Sequence, residues 1–226
     1  MRVSSTFISG VVAAVAVSGS ANASVVAVVD PFTDASTANS GSAAEYGPTS
    51  NTSISGGLWA DRATKANTSS TTRASSSVAV SGGSLVFSVT QIGASNSANQ
   101  RGQVEYSNVS GAAGPDFSSF TSLTFDYTST FTFGVRVWIS GMTTGSFLQL
   151  QNISAGSGTL TFTAAEFAFD STITDVSGMS IEMYRSGSNA SGSLTLSNLA
   201  ANGVPAPGAI ALLGAAGLVG SRRRRS

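Results

Sequence analysis

From Val78 onward, apolar and polar residues alternate with a period of two, and glycine-rich breaks interrupt the alternation at intervals. Leu85, Phe87 and Val89 alternate with Val86 and Ser88 behind the turn Ser81-Gly82-Gly83. Val104 and Tyr106 alternate with Gln103 and Glu105 after Arg101-Gly102, and Leu123, Phe125 and Tyr127 alternate with Thr124, Asp126 and Thr128. The longest row is Phe131, Phe133, Val135, Val137 and Ile139, ended by Gly141, with Leu148 and Leu150 continuing on the next strand. Leu160 and Phe162 follow Gly156-Ser157-Gly158, Ile181 and Met183 follow Gly178, and Leu194 and Leu196 follow Gly192. Successive side chains of a strand point to opposite faces, so each row marks one half-buried strand. Many short strands at regular spacing predict an all-β chain folded as an antiparallel sandwich or barrel.

Before Val78 the pattern is weaker. Ser24 to Asp30 reads as a first strand stopped by Pro31, and Thr33 to Thr52, with Asp34, Gly41, Gly47 and Pro48 among small polar residues, reads as a long irregular loop. Ala66 to Ser77 is almost wholly Ser, Thr, Ala and Asn, and is expected to form a polar edge strand with loops. Thr163 to Phe169 breaks the later alternation: Thr163 with Glu166 three residues on has the form of a capping box. That predicts one short helical turn, with Phe167 and Phe169 plugging an end of the fold.

The two ends carry a different pattern. Arg2 precedes Phe7-Ile8 and the apolar run Val11 to Val17, which Ala21-Asn22-Ala23 closes in the small-x-small form of a secretory cleavage site. Residues 1–23 therefore read as a signal peptide, with cleavage marked by Ala21 and Ala23. At the other end, Val204-Pro205-Ala206-Pro207-Gly208 leads into an apolar segment to Gly220 and then Arg222, Arg223, Arg224 and Arg225. Proline keeps the chain extended, the apolar segment suits a helix in lipid, and clustered arginine stays on the cytoplasmic side. The segment from Gly208 to Gly220 spans roughly 20 Å as a helix, against a bilayer core of roughly 30 Å. It is short for a permanent anchor, the alternative reading.

This Pro motif, apolar helix and arginine cluster, including the string A-I-A-L-L-G-A-A-G-L, resembles the PEP-CTERM sorting signal, here with V-P-A-P-G in place of V-P-E-P. The resemblance implies an exosortase-type membrane enzyme as partner, transient membrane contact, and delivery to the cell envelope or extracellular matrix of a Gram-negative bacterium. It also implies an association with exopolysaccharide. The chain then divides into the signal peptide 1–23, a β-sandwich domain 24–203 and the sorting signal 204–226.

Composition changes the picture in three ways. The precursor is formally neutral, yet five of its eleven cations, Arg2 and Arg222 to Arg225, lie in the two end segments. Residues 24–203 hold the other six cations and all eleven acids, which leaves −5. Such a domain does not attract nucleic acid, whose binding needs clustered Lys and Arg. The chain has no Cys, so an exported domain must rely on its core rather than on disulfides. It also has no His, which removes the commonest general base and metal ligand.

The strand phrases Asp116 to Phe120 with Leu123 to Asp126, Gly158 to Phe162, Asp175 to Ile181, and Leu194 to Leu199 resemble those of jelly-roll carbohydrate-binding modules and the galactose-binding-like superfamily. That resemblance implies a glycan-contacting sandwich. On the long strand the odd-numbered residues are apolar, so Arg136 and Trp138 lie together on the opposite face, beside Gly134. An aromatic plate flanked by planar charged groups suits a sugar, whose ring has an apolar face and a rim of hydroxyls. Glu182 and Tyr184 join them if the neighbouring strand turns its even-numbered residues the same way, and Gln149 and Gln151 are polar alternates on the intervening strand. The same residues would also serve to cover the outside of a sheet. Trp59, with Tyr46, is a second ligand-binding candidate in a loop-rich region. Asp30 and Asp34 flank a turn and form a weak candidate for structural Ca²⁺, although no D-x-D-x-D-G loop is present; no other cofactor is expected.

Catalysis is not expected. Glu105, Asp126, Glu166 and Glu182 sit on different elements, whereas a glycosidase holds two carboxylates roughly 5 to 9 Å apart. No hydrolase, zinc or phosphate-loop motif is present. A glycan-contacting module, a structural or adhesive surface protein, and in third place a glycan hydrolase are the function classes left.

Overall fold

The computed structural model describes residues 26–40, 50–92, 99–108, 113–141, 145–167, 175–185 and 191–204. These form thirteen strands: β1 Val26–Asp30, β2 Ser36–Asn39, β3 Ser50–Ser53, β4 Asp61–Thr68, β5 Ala74–Ser81, β6 Ser84–Gln91, β7 Gln100–Ser107, β8 Ser122–Ser129, β9 Phe133–Gly141, β10 Gly145–Ile153, β11 Gly156–Thr163, β12 Val176–Arg185 and β13 Gly192–Asn202. All pairings are antiparallel. One sheet runs β11-β8-β13-β6-β5-β2, with β1 also paired to β13, and the other runs β10-β9-β12-β7-β4-β3. The hairpins β3–β4, β5–β6 and β9–β10 stay within a sheet, while most other connections cross to the opposite one.

The inner faces are the rows that the alternation marked. Val135, Val137 and Ile139 of β9, Ile181 and Met183 of β12, and Val104 and Tyr106 of β7 are buried against Leu123 and Phe125 of β8, Leu85 and Phe87 of β6, and Leu194 and Leu196 of β13. Each such side chain contributes about 1.5–3 kcal/mol on leaving water. Gly102 of β7 leaves room for the facing sheet, since a Cβ there would stand 2.6 Å from the Phe87 ring and from Val78 Cγ2. An aromatic cluster closes one end. Phe117 stacks on Phe120 with ring centres 5.0 Å apart, and Phe167 meets both Phe120 and Phe162.

Several expectations change. The stretch read as one irregular loop contains β2 and β3, and the Ser/Thr/Ala tract forms parts of β4 and β5, each with a neighbour on both sides rather than at an edge. Their buried residues, Ala66, Thr68, Ala74 and Ser76, are too small or too polar to register as an apolar row. Hydrogen bonding accounts for the polar ones: Ser76 Oγ donates to the Asn67 carbonyl at 2.7 Å. The expected helical turn is a hydrogen-bonded turn over 164–167, and the described residues contain no helix. Glu166 does reach back, accepting from the Thr163 N–H at 2.7 Å, but the Thr163 hydroxyl donates to the same carboxylate at 2.9 Å instead of capping a helix. Phe167 is buried as expected.

Val204, the first residue assigned to the tail, is fully buried with the core. The signal peptide with Ala21 and Ala23, and the tail from Pro205 through Arg225 with its apolar helix, lie outside the described residues, as do Tyr46 and Phe169.

Candidate functional site

Trp59 is part of the core. It is 2 % exposed and packs on Tyr106 and Phe117 with ring centres 5.9 and 6.0 Å away, so it presents no plate to a ligand. The segment carrying it folds inward because Leu58 and Trp59 together cover the open end between the sheets, and the Leu58 N–H donates to the Val29 carbonyl at 3.1 Å.

Asp30 and Asp34 do converge on a positive charge, that of Arg62. Its Nη1 lies 2.5 Å from Asp30 Oδ2 with both side chains fully buried, and its Nη2 donates to the Asp34 carbonyl and, at 3.3 Å, to Ser36 Oγ. The other Asp30 oxygen accepts the Phe32 N–H at 2.7 Å. That bond holds Phe32 at φ +56°, a conformation costly for a bulky residue and so maintained only by its surroundings. The Asp34 side chain accepts from Ser55 N–H at 2.8 Å. Among the described residues, no group of three or more carboxylates is arranged to hold a metal ion.

The outer face of the second sheet is where the remaining candidates meet. Arg136 pairs across β9 and β12 with Glu182, Gly134 with Tyr184, and Trp138 with Ser180. Cross-strand partners share a face. The even-numbered residues of β12 therefore do point the same way as Arg136 and Trp138. Register extends each row onto β7 and β4: Tyr184 to Arg101 and Asn67, Glu182 to Gln103 and Lys65, Ser180 to Glu105 and Ala63.

On the other side, β10 places Leu148 opposite Trp138 and Leu150 opposite Arg136, and Leu150 is 41 % exposed. Gln151, opposite the buried Val135, takes its parity and so is not on this face, while Gln149 stands opposite Val137 in the register. An edge strand tolerates a polar residue there: Gln151 Nε2 donates to the Thr161 carbonyl of β11 at 2.8 Å, joining the two sheets.

The polar groups of the face form one connected system. Lys65 Nζ lies 2.5 Å from Glu105 Oε2, and Gln103 Nε2 donates to Glu105 Oε1 at 3.0 Å and to Ser180 Oγ at 2.8 Å. Glu182, almost fully buried, sits between Arg101 Nη1 at 3.5 Å and Arg136 Nη1 at 3.9 Å. The Arg136 guanidinium lies over the Tyr184 ring, 4.8 Å from its centre. The ring lies so close to Gly134 that a Cβ there would stand 2.1 Å from it, so glycine is what lets Tyr184 lie down.

Two hollows follow β12. One, of about 340 Å³, is lined by Ala63, Glu105, Ser107, Ser140, Gly178 and Ser180. The other, of about 170 Å³, is lined by Gln100, Arg101, Arg136, Glu182, Tyr184 and Arg185. Tyr184 and Arg185 also border a third hollow, of about 330 Å³, with Phe131, Gly134 and Asn152. Arg185 is itself buried, its guanidinium 4.4 Å from the Phe131 ring centre, and burial lowers its pKa from the ordinary arginine value. Gly178 and Ser180 form a low floor between Trp138 on β9 and Glu105 on β7. From Gly178 to Tyr184 the strand extends about 20 Å at roughly 3.3 Å per residue, the length of an oligosaccharide rather than of one sugar.

Arg101, Gln103, Glu105 and Lys65 were not among the sequence candidates. Their outward parity is visible in the alternation of β7, but that β7 lies beside β12 and β4 is a long-range pairing.

The outer face of the first sheet is different in kind. Thr161 on β11, Thr124 on β8 and Thr195 on β13 alternate with buried residues, and Ser157, Thr159 and Thr128 continue the same face in adjacent rows. It is a carpet of hydroxyl groups with Asp126 at its centre, whose pKa is lowered by hydrogen bonds from Asn198 and Thr159.

No protein-family model matches the chain, and a search of curated proteins finds no match. Among solved structures it is similar to a family 11 carbohydrate-binding module from Clostridium thermocellum in complex with a mixed-linked tetrasaccharide, at 16 % identity and a TM-score of 0.39, over 63 % of this chain and 90 % of that one. It is similar to a family 29 carbohydrate-binding module variant complexed with mannohexaose, at 13 % identity and a TM-score of 0.39, over 81 % and 94 % of the two chains. An agarase is matched at 14 % identity and a TM-score of 0.40, over 58 % of this chain and 22 % of the enzyme.

Proposed function

We propose that this chain is an exported, non-enzymatic β-sandwich of jelly-roll-like course that binds an extended polysaccharide along β12 on the outer face of its second sheet. The observation that carries the reading is that register sets Trp138 and Arg136 of β9 beside Ser180 and Glu182 of β12 on one face, with Tyr184 two residues further on, along which one hollow holds Arg136, Glu182 and Tyr184 and the next Gly178 and Ser180. Trp138 offers an apolar plate, while the Arg, Glu and Gln groups supply donors and acceptors for hydroxyls. In this reading the signal peptide 1–23 directs export. An exosortase-type enzyme then processes the tail near Pro205 to Gly208, which puts the domain at the cell envelope or in the matrix, in contact with exopolysaccharide.

Affinity electrophoresis in a panel of bacterial and plant polysaccharides tests the binding role. Trp138→Ala removes stacking area on the order of 1.5–3 kcal/mol, roughly tenfold or more in affinity, and Arg136→Ala is expected to weaken retention as well. Equal retention of wild type and both variants removes this face from consideration. The mass of the mature protein from its native host tests the processing: loss of Arg222 to Arg225 is expected, and an intact C-terminus refutes it.

The hydroxyl carpet of the first sheet supports a second reading, a structural or adhesive surface protein without a small ligand. Absence of retention on every polysaccharide, with the protein still recovered in the matrix, favours that reading.

A further inference from the structure

The hollow between Arg101, Arg136 and Glu182 differs from the rest of the face in its charge and in its unmet hydrogen bonds. Lys65 is matched locally by Glu105 at 2.5 Å. Arg101 and Arg136, in contrast, share the single carboxylate of Glu182, and their contacts of 3.5 and 3.9 Å are ion pairs rather than well-formed hydrogen bonds. Two guanidinium groups against one carboxylate leave an excess of positive charge in a domain that is otherwise acidic.

The acceptors are incomplete too. Glu182 Oε1 and Gln100 Oε1, on residues only 3 % exposed, have no hydrogen-bond partner among the described residues, and the Nε atom of the more exposed Arg136 is likewise buried without one. Unpaired buried polar groups are costly. A site that gathers two acceptors and an excess of cationic donors around one hollow matches a ligand that brings hydroxyl donors and a carboxylate together.

We infer that this hollow is a subsite for a carboxylated sugar, so that the polysaccharide taken by the face is acidic, a uronate-containing polymer, and not neutral. This rests on the polysaccharide-binding reading of the same face. Arg101, with its side chain 49 % exposed, and Arg136, 33 % exposed, re-aim from Glu182 toward the incoming carboxylate, which a guanidinium fork fits in a bidentate manner. Glu182 stays beside the two arginines as a nearby counter-charge, and as they turn, its Oε1 and that of Gln100, both closed to solvent before the ligand arrives, open to ring hydroxyls. The flat Tyr184 ring, fixed between Gly134 and Arg136, forms the wall of the subsite.

The test compares polygalacturonate, alginate and hyaluronate oligosaccharides with the same compounds after chemical reduction of their carboxylates to alcohols. Calorimetric titration of the mature domain is expected to show about a tenfold preference for at least one acid form over its reduced counterpart, the size of one charge-assisted hydrogen bond. The preference is expected to shrink in molar salt. Arg101→Gln is expected to abolish the preference, lowering affinity for the acid form about tenfold more than for the reduced form. Lys65→Gln, on the same face but outside the hollow, is expected to leave the preference intact, and Trp138→Ala to weaken acid and reduced forms alike. Equal affinity for acid and reduced forms overturns the subsite and leaves the polysaccharide-binding reading standing. So does an equal loss for both forms in Arg101→Gln. If neither the acids, their reduced forms nor neutral glucans bind, the proposed function fails and this inference with it. Thermal melts of each variant confirm that a folded domain is being compared.

Discussion

Replacing Arg62 with methionine removes the cation from a site in which its partners are out of reach of water. Methionine fills much of the same volume, so the change is chiefly electrostatic. Asp30 would keep the bond from the Phe32 N–H at 2.7 Å but lose the ion pair at 2.5 Å, and both the Asp34 carbonyl and Ser36 Oγ would lose a donor. Breaking a fully buried pair from one side costs about 3–5 kcal/mol, because the remaining charge stays desolvated. For a domain of this size that lowers the melting temperature by about 6–20 °C, at roughly 2–4 °C per kcal/mol. Thermal unfolding followed by circular dichroism, with urea titrations for free energies, measures it. Asp30→Asn alone strands Arg62 and is expected to cost a similar amount. In the double variant no charge is left unpaired, so its loss is expected to fall well short of the sum of the two. The reasoning is refuted if Arg62→Met costs under about 1 kcal/mol, or if the double-variant cycle is additive.

Two further outcomes follow from close contacts elsewhere. Gly134→Ala puts a Cβ 2.1 Å from the Tyr184 ring, so the ring must leave its place; a loss of about 1–3 kcal/mol in stability and weakened polysaccharide retention are expected by urea titration and affinity electrophoresis, and wild-type retention would show that the Tyr184 wall is dispensable. The Tyr106 phenol has its pKa raised well above the ordinary value by burial and then by the nearby Asp30 charge. Its folded state therefore keeps the proton that the unfolded state releases near pH 10. That contribution is complete below pH 10 and is lost as the pH rises beyond it, so stability is expected to fall on the alkaline side, and Tyr106→Phe, compared by urea titration at successive pH values, is expected to flatten that fall.

Much of the fold is legible along the chain because side-chain direction in a strand is a local property. The rows Leu85-Phe87, Leu123-Phe125 and Val135-Val137-Ile139 announce both the strand and its buried face, and the same parity puts Arg136 and Trp138 outside together. Legibility fails where the buried side chains are small. In β4 and β5, Ala66, Thr68, Ala74 and Ser76 fill a narrow gap between the sheets, and no hydropathy contrast separates them from their exposed neighbours. It fails again at Trp59 and Arg62, since a loop aromatic and a lone arginine look alike from the sequence whether they cover an opening or face solvent.

The sequence by itself determined the half-buried strands of an all-β fold, the acidic balance of residues 24–203 and the lack of cysteine and histidine, and it set an apolar run at one end and a proline, apolar and arginine pattern at the other, because alternation and composition are written in consecutive residues. Only the tertiary structure decided that β12 lies between β9 and β7, which is what brings Arg101 and Glu182 beside Arg136 and Tyr184. That order depends on long-range pairings such as Arg185 with Gln100, whose selection rests on how two whole inner faces pack and not on any local preference.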